Sequence, residues 1–268
     1  MKLMEGKKGL IMGVANERSL AWGIAQALAR EGAEMVFSYQ SEALYRKVKP
    51  LAEQLGNVEM IECDVSDDSS IDSLLEKVAK KFGKIDFIVH AIAFSDRNEL
   101  TGKYIETSRA NFLNTLNISS YSFTAVCQRA QKYLSDGASL LTLTYLGAER
   151  VFPHYNVMGI AKAALEASIK YLAVDLGDRG IRVNALSAGP VKTLASAGIG
   201  DFRYILKWSQ YNSPLKRNTT LDDVGGTGVF LLSDLASGVT GEVVHTDSGY
   251  HIVGMKAVDA PDITVEKD

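Results

Sequence analysis

The alternation of continuous apolar runs with amphipathic helical patterns is the feature that most constrains the fold of this chain. Seven runs, each closed by turn residues, have the length and composition of strands: residues 9–14, 34–39, 58–65, 87–93, 139–145, 182–189 and 242–249. Because these runs are continuous rather than interrupted by polar residues, they predict strands that are buried on both faces of a sheet.

Helical patterns fill the spaces between the predicted strands. They cover residues 19–32, 41–56, 69–83, roughly 105–135, 154–179 and 221–236. Glycines follow four of these helices, where a left-handed residue ends a helix: Gly32, Gly56, Gly83 and Gly180. Strands that alternate with helices pair in parallel through right-handed crossovers. We therefore predict an α/β fold: one Rossmann-like, doubly wound domain over residues 1–268, with a parallel sheet of about seven strands flanked by helices. Residues after about 255 are predicted to form a polar tail or an extension that contacts a partner.

The charge balance and the cysteine and histidine patterns exclude several classes of protein. The 29 basic and 32 acidic side chains give no basic excess, which argues against a nucleic-acid-binding protein. Cys63 and Cys127 are far apart, and the histidines show no paired spacing, so reduced thiols and no metal site are predicted. The chain shows no secretory signal and no apolar run near the ~20 residues that span a bilayer. We expect a cytoplasmic protein without membrane segments.

The first strand is followed by a turn that suits a dinucleotide. The turn reads MGVANERSLAWGIA, with Gly13 at the end of the strand, Ser19 at the start of the helix and Gly23 inside it. Such a turn directs backbone N–H groups at a pyrophosphate beside the helix N-terminus. The general G-x-G-x-x-G pattern is absent, so an ordinary strand–turn–helix connection remains the alternative.

The ends of the second and third strands favour NAD(H) over NADP(H). Gln40 and Ser41 carry no positive charge at the place where an arginine would accommodate a 2′-phosphate. Asp64 follows the third strand, where it could accept a hydrogen bond from the adenine amine, with Val65 beside the ring. The alternative is that Asp64 only caps the helix predicted near residue 69.

Two tyrosines and a lysine form the candidate catalytic group. Tyr145 ends the fifth predicted strand, at the sheet edge where ligands of open parallel sheets bind. Tyr155 and Lys162 are seven residues apart, close to two helical turns, so they share one helix face. A phenol can donate to a carbonyl oxygen that gains negative charge, and a nearby ammonium favours that charge. The alternative is that both tyrosines pack in the core and the lysine is solvated.

Over nearly its whole length the chain resembles a short-chain dehydrogenase/reductase. Common members have a lysine four residues after the tyrosine, but residue 159 here is glycine. The Tyr145–Tyr155–Lys162 spacing, the turn GVANERSLAWGIA, and the segments TYLGAER, YNVMG and SAGPVKTLASAGI are instead similar to the NADH-dependent enoyl-[acyl-carrier-protein] reductases of bacterial type II fatty-acid synthesis. Thr144 stands where that branch has serine.

The resemblance implies a reaction and roles for the candidate residues. Hydride would pass from nicotinamide C4 to the β-carbon of a trans-2-enoyl thioester that is carried by acyl carrier protein. Tyr155 would hydrogen-bond the thioester carbonyl, Lys162 would hold the nicotinamide ribose, and Tyr145 would assist at the acyl or carbonyl side. A homotetramer is also implied. Whether Tyr155 donates a proton or only a hydrogen bond stays open.

The same resemblance implies a set of binding residues. Cofactor contacts fall on Gly13, Ser19, Leu20, Gln40, Asp64, Val65, Ile92, Lys162, Val191, Lys192, Thr193, Leu194 and Ala195. A substrate contact falls on Ser95, and residues of about 193–212 read as a helical lid over the acyl chain, with an ordinary surface helix as the alternative. Two other functions remain open: a 3-oxoacyl or other carbonyl reductase of the same superfamily, and a non-catalytic NAD-binding sensor.

Overall fold

The computed structural model describes residues 2–56, 58–193 and 201–263. Within these ranges, seven parallel strands form one sheet in the order β3-β2-β1-β4-β5-β6-β7. The strands are β1 (Lys8–Met12), β2 (Glu34–Tyr39), β3 (Glu59–Glu62), β4 (Ile85–His90), β5 (Leu134–Thr144), β6 (Arg182–Ala188) and β7 (Val243–Thr246). The predicted doubly wound α/β fold is confirmed. The order reverses between β1 and β4, which creates a crevice at the carboxyl ends of these two strands.

Helices cover both faces of this sheet. They are α1 (Leu20–Arg30), α2 (Glu42–Gln54), α3 (Asp68–Phe82), α4 (Arg109–Leu116), α5 (Ser122–Ala130), α6 (Asn156–Leu176), α7 (Phe202–Asn212) and α8 (Leu221–Leu232). One apolar core lies between the sheet and α1, α2 and α8, and a second lies between the sheet and α3, α5 and α6. Alternate strand residues enter opposite cores: in β4, Phe87 and Val89 contact the first core, whereas Ile88 contacts the second.

The single helix predicted over residues 105–135 is the element that the structure corrects. Tyr104–Glu106 is an isolated 3₁₀ turn, and α4 begins only after Ser108, whose hydroxyl accepts from the Asn111 amide. A π-helical turn joins α4 to α5, and the chain then enters β5 at Leu134, which pairs with Ile85. Leu134 is fully buried. The burial of this leucine in the sheet, which a helical pattern does not reveal, ends the helix early.

Glycines determine how closely α1 approaches α8. A Cβ on Gly23 would lie 2.8 Å from the Leu221 carbonyl oxygen, and a Cβ on Gly225 would lie 2.7 Å from the Gly23 carbonyl oxygen. The glycine inside the predicted nucleotide turn therefore serves helix packing. The four glycines predicted to follow helices all have positive φ, between 67° and 90°. In the part of the chain that the structure describes, every helix is too short or too polar to span a bilayer.

Candidate active site

The turn after β1 brings two strand ends into close approach. Gly13 has φ of 101°, and a Cβ at this position would overlap the carbonyl oxygen of Ala91, which follows β4. Only glycine fits both the backbone conformation and the space. The crevice between β1 and β4 is thus lined by main chain, as a cofactor that must approach the backbone requires.

Ser19 organises this turn rather than capping its own helix. Its Oγ accepts hydrogen bonds from the Ala15 and Asn16 amides, both at 3.0 Å, and makes no cap bond to α1. The hydroxyl hydrogen therefore remains to donate elsewhere. The amides of Leu20 and Ala21 precede the first intrahelical hydrogen bond, which Trp22 donates to the Ser19 carbonyl oxygen. A hydroxyl and a helix N-terminus that face the same crevice suit a phosphate.

Gln40 and Asp64 meet at the end of β2 and β3. Gln40 Nε2 donates to Asp64 Oδ2 at 3.3 Å. Hydrogen bonds from the Ser66 hydroxyl and amide hold the pKa of Asp64 below its usual value. The alternative that Asp64 only caps α3 is wrong, because Asp67 caps that helix through the Ser69 amide. Val65 is buried in the core beneath this pair, and Ile92 packs against the same core from the end of β4.

The rings of Tyr145 and Tyr155 are in direct contact. Their centroids are 5.1 Å apart in an edge-to-face arrangement, and Phe152 packs 5.0 Å from Tyr145. Burial raises the pKa of both phenols well above the ordinary value, so both are neutral donors near pH 7. The Tyr145 hydroxyl is buried and bonds to none of the residues that the structure describes. This unsatisfied group fits a site that a polar ligand completes.

Two glycines explain why the lysine does not follow the tyrosine by four residues. A Cβ on Gly147, in the 3₁₀ turn after β5, would overlap the Tyr155 ring. A Cβ on Gly159 would lie 2.7 Å from the Gly147 carbonyl oxygen. The first turns of α6 therefore pack directly on the main chain after β5. Residue 159 has no room for a side chain, and the nearest basic group on this helix is Lys162.

Lys162 is a buried ammonium that β5 holds in place. Its Nζ donates to the Leu143 carbonyl oxygen at 2.8 Å. Burial lowers its pKa to about 8, and the nearby Glu166 carboxylate partly offsets this effect. Thr144, the residue that departs from the serine of the resembled branch, donates from Oγ1 to Glu166 Oε1 at 2.6 Å. The effect of Glu166 on Lys162 was not evident from the sequence, although Glu166 follows Lys162 by one helical turn.

Ser95 lies in a polar network behind the site. Its hydroxyl oxygen accepts hydrogen bonds from Asn111 Nδ2 at 3.2 Å and from Thr115 Oγ1 at 3.0 Å. The side chain is buried against α4. The hydroxyl of Ser95 is thus occupied within the protein, and any contact of this residue with a substrate falls to its main chain.

Aromatic residues from later in the chain complete the wall around the tyrosines. Tyr250 lies 6.0 Å from Phe152 and 5.2 Å from Trp208 of α7, measured between ring centroids. This chain of rings connects the predicted lid helix to Tyr145. The sequence signal for Tyr250 was only an aromatic residue shortly after the last strand, so its role depends on tertiary contacts.

The segment after β6 is described in part. Val191 and Thr193 are partly buried, and Lys192 is exposed. Leu194 and Ala195, which the sequence assigns to the cofactor site, lie outside the described residues, as does the first part of the predicted lid. Its second part is α7, whose Ile205 and Ser209 are buried.

The sheet, the glycine turn and the tyrosine–lysine helix together define a dinucleotide-dependent oxidoreductase of the short-chain dehydrogenase/reductase type. Comparison with known proteins narrows the class further. A family model described as enoyl-(acyl carrier protein) reductase matches residues 13–251. The chain belongs to this family, as its sequence motifs predicted.

Individual relatives match over almost the full length. The enoyl-[acyl-carrier-protein] reductase [NADH] 1 of Rhizobium meliloti (strain 1021) is 65% identical, with 99% of this chain and 98% of the relative covered. A crystal structure of the Anaplasma phagocytophilum reductase in complex with NAD superposes with a TM-score of 0.93 at 60% identity, covering 97% of this chain and 98% of that one. The Bacillus cereus enoyl-acyl carrier protein reductase with NADP+ and an indole naphthyridinone superposes with a TM-score of 0.93 at 51% identity, covering 95% and 100%.

Proposed function

We infer that this chain is an NADH-dependent enoyl-[acyl-carrier-protein] reductase that reduces the C2=C3 bond of trans-2-enoyl thioesters in fatty-acid elongation. The observation that carries this function is the geometry of α6. Tyr155 packs on Tyr145 and Gly147 at the start of the helix, Gly159 leaves no room for a side chain, and the buried ammonium comes from Lys162. This arrangement separates the chain from carbonyl reductases with the shorter tyrosine–lysine spacing.

The residues of the site can stabilise the charge that the reduction creates. Bound NADH supplies the hydride to the β-carbon of the substrate. As the new C–H bond forms, the C2=C3 electron pair moves toward the thioester, and negative charge develops on its carbonyl oxygen. We assign Tyr155 as the hydrogen-bond donor to that oxygen, with Tyr145 beside it and Lys162 as the nearby positive charge. A proton that comes ultimately from solvent then adds to the α-carbon and completes the saturated product.

The proposed cofactor contacts extend along the sheet edge. Gly13, Ser19 and Leu20 would receive the pyrophosphate, and Gln40, Asp64 and Val65 would receive the adenosine. Ile92 would lie against the cofactor from the end of β4. The Lys162 ammonium has three N–H groups, of which Leu143 accepts one, so two remain for ribose hydroxyls. Val191, Lys192 and Thr193, with the undescribed Leu194 and Ala195, would contact the nicotinamide side, and the main chain of Ser95 the substrate.

NADH is favoured over NADPH by the neutral end of β2. Gln40 donates to Asp64, so the Asp64 carboxylate lies beside the place that a 2′-phosphate would enter and would repel it. Arg46 is the basic residue one turn into α2, and it is paired with Glu42 at 2.9 Å. The pairing keeps its guanidinium on the outer face of the helix, where side-chain exposure is 77%.

The function is tested by supplying four combinations of substrate and cofactor. A trans-2-enoyl thioester and a 3-oxoacyl thioester of equal chain length are each offered with NADH and with NADPH, and the loss of absorbance at the nicotinamide band is followed. We expect turnover of the enoyl thioester, fastest with NADH. Turnover of only the 3-oxoacyl thioester would instead identify a carbonyl reductase. Tight NADH binding with no turnover of either substrate would identify a sensor.

Tyr155→Phe connects this activity to the site. The substitution keeps the ring that packs on Tyr145 and Gly147 but removes the donor. We expect kcat to fall by about 10²-fold, because one hydrogen bond to a developing oxyanion has an effect of this size. The KM for NADH is expected to remain near that of the parent. Undiminished kcat would remove Tyr155 from the catalytic role.

A homotetramer is supported by two separate apolar surfaces. On α6, the outward side presents Ile160, Tyr171 and Val174, the last two 76% and 81% exposed. A second set lies in the 3₁₀ turns that precede and follow the edge strand β7, where Leu235 and Ile252 are 63% and 67% exposed. A tetramer with three two-fold axes needs at least two distinct self-complementary surfaces, and these two sets of exposed apolar residues are the candidates for them.

Light scattering tests the assembly directly. We expect a particle of four chains of 29.1 kDa each. Tyr171→Lys combined with Val174→Lys should reduce it to a smaller species, since two buried ammonium groups would oppose contact along α6. A monomeric parent protein, or a double variant that keeps the parent mass, would contradict the assignment of this surface.

A further inference from the structure

The start of α6 is tied to the loop between β4 and α4 by one side chain. Asn156, which follows Tyr155 directly, donates from Nδ2 to the carbonyl oxygens of Glu99 and Gly102 at 3.2 Å and 3.0 Å. A primary amide nitrogen carries two hydrogens, and each has its own acceptor here. The side chain therefore joins the helix that carries the tyrosine to two points of the loop.

The backbone around Tyr155 is unusual in the same place. Asn156 has φ of 42° and His154 has φ of 61°, so residues on both sides of the tyrosine are in the left-handed region. Asparagine enters this region at lower cost than most other residues that carry a side chain. The conformation costs free energy and persists only where surrounding contacts impose it. The two hydrogen bonds of Asn156 are contacts of that kind.

The loop itself is held firmly at its far side. The Glu99 carboxylate accepts from the Ser108 amide at 2.9 Å and the Ser108 hydroxyl at 2.7 Å, and Asn111 Nδ2 donates to it at 3.2 Å. These bonds hold the pKa of Glu99 below its ordinary value, so the carboxylate stays ionised. Leu100 of the same loop is buried in one apolar cluster with Tyr155. The loop thus has an apolar contact with Tyr155 and a polar contact with Asn156 beside it.

We propose that Asn156 is a positioning residue that fixes the Tyr155 hydroxyl relative to the loop of residues 96–108, which directly follows Ser95. The expected effect on kcat rests on the proposed reductase function. The expected effect on the mobility of the loop rests on the hydrogen bonds of Asn156 alone. Loss of the two hydrogen bonds frees the loop and lets the tyrosine change its angle to the bound thioester. A misplacement of this kind lowers the rate of the chemical step rather than the affinity for NADH, because Lys162, the proposed cofactor contact on the same helix, is held separately by the Leu143 carbonyl oxygen of β5.

Three variants separate the side-chain bonds from the backbone. Asn156→Gly keeps the left-handed conformation and removes both donors. Asn156→Asp keeps the size but directs a carboxylate at two carbonyl oxygens. Asn98→Asp makes the same chemical change on an exposed residue of the same loop and serves as the control. We expect kcat for the enoyl thioester to fall about tenfold in the glycine variant and about 10²-fold in the aspartate variant, with the KM for NADH unchanged. The control should retain the parent kcat.

Hydrogen–deuterium exchange gives a second readout that needs no activity. Amides in residues 97–106 should exchange faster in Asn156→Gly and Asn156→Asp than in the parent and in Asn98→Asp, while amides of α6 beyond its first turn keep their protection. Unchanged exchange in this loop overturns the proposal even if the parent proves inactive on enoyl thioesters. In an active parent, an equal fall in kcat and in NADH affinity overturns it as well, because that pattern indicates general destabilisation.

Discussion

Lys162→Met is expected to reduce kcat/KM for the enoyl thioester by about 10³-fold or more while leaving the chain folded. Methionine has a similar unbranched shape but supplies neither the charge nor the N–H groups. The variant would lose the positive charge near the developing oxyanion and the two donors assigned to the ribose. The loss should therefore appear both in kcat and in the KM for NADH, which distinguishes it from the effect expected of Tyr155→Phe.

The pH dependence of the parent follows from the same group. Burial lowers the pKa of Lys162 to about 8 from 10.5. The charged form is therefore present below that pH, and in the free enzyme kcat/KM should decline as pH rises through about 8. The folded chain binds this proton less tightly than the unfolded chain, so stability rises with pH between about 8 and 10.5. Below pH 8 the buried charge opposes folding, which is why its replacement by methionine should be tolerated.

Lys170→Met provides the matched control for this prediction. Lys170 lies two turns further along α6 with its side chain exposed. The control should keep the parent kcat/KM and the parent pH profile. Circular dichroism establishes that both variants are folded. If Lys162→Met retained a tenth of the parent activity, or if Lys170→Met lost as much, the role assigned to Lys162 would be wrong.

The order of strands and helices could be predicted because it depends on local patterns. Continuous apolar runs placed the strands, and Gly13 marked the close turn after β1 because only a glycine has both the conformation and the space. The spacing of Tyr155 and Lys162 placed both on α6, since seven residues span two turns. These features are encoded within short windows of sequence, where helix geometry and steric limits decide the outcome.

The remainder of the site depends on contacts between distant segments. Ser19 looked like a helix cap, but its oxygen accepts from two amides of the preceding turn. Tyr250 and Phe152 enter the site only because the parallel strands β7 and β5 end on the same side of the sheet, so that the segments after them meet. Asn156 gave no signal of its own, because its partners are main-chain carbonyls more than fifty residues earlier in the chain. Every residue type has a main-chain carbonyl, so a hydrogen bond to one does not require a particular residue at the accepting position. Such bonds therefore cannot be predicted from the sequence.

His90 should make the fold sensitive to acid. This residue ends β4 and is completely buried, with Phe123 packed 5.3 Å from its ring. Ser122 Oγ donates to the Ile118 carbonyl oxygen, so at 2.8 Å from His90 Nε2 it is placed to accept a hydrogen bond from that nitrogen. Burial, and secondarily the charge of Lys162, lowers the pKa of His90 to about 3 from 6.5. The His90 ring is therefore neutral in the folded protein near pH 7.

The sign of the effect follows from this difference. Between pH 6.5 and about 3 the unfolded chain binds a proton that the folded chain does not, so stability is complete above pH 6.5 and falls as the pH is lowered. The loss from this one group should reach about 3 kcal/mol by pH 4.5. His90→Gln keeps an amide donor within reach of Ser122 but cannot titrate, so its stability should decline less steeply over the same range.

Urea unfolding of both proteins at pH 7.5 and at pH 4.5 measures the contrast. The substitution itself will lower stability at pH 7.5, because a fitted ring is lost from a packed core. The role of His90 is tested by the change in the free energy of unfolding between the two pH values. The cost of the lost ring is the same at both pH values and cancels in this difference. The parent should lose about 3 kcal/mol more than His90→Gln on acidification. Carboxylates contribute equally to the pH dependence of both proteins. Equal losses of stability would therefore show that His90 is protonated in the folded state without penalty. Its ring would then be less buried in solution than its contacts with Ser122 and Phe123 indicate.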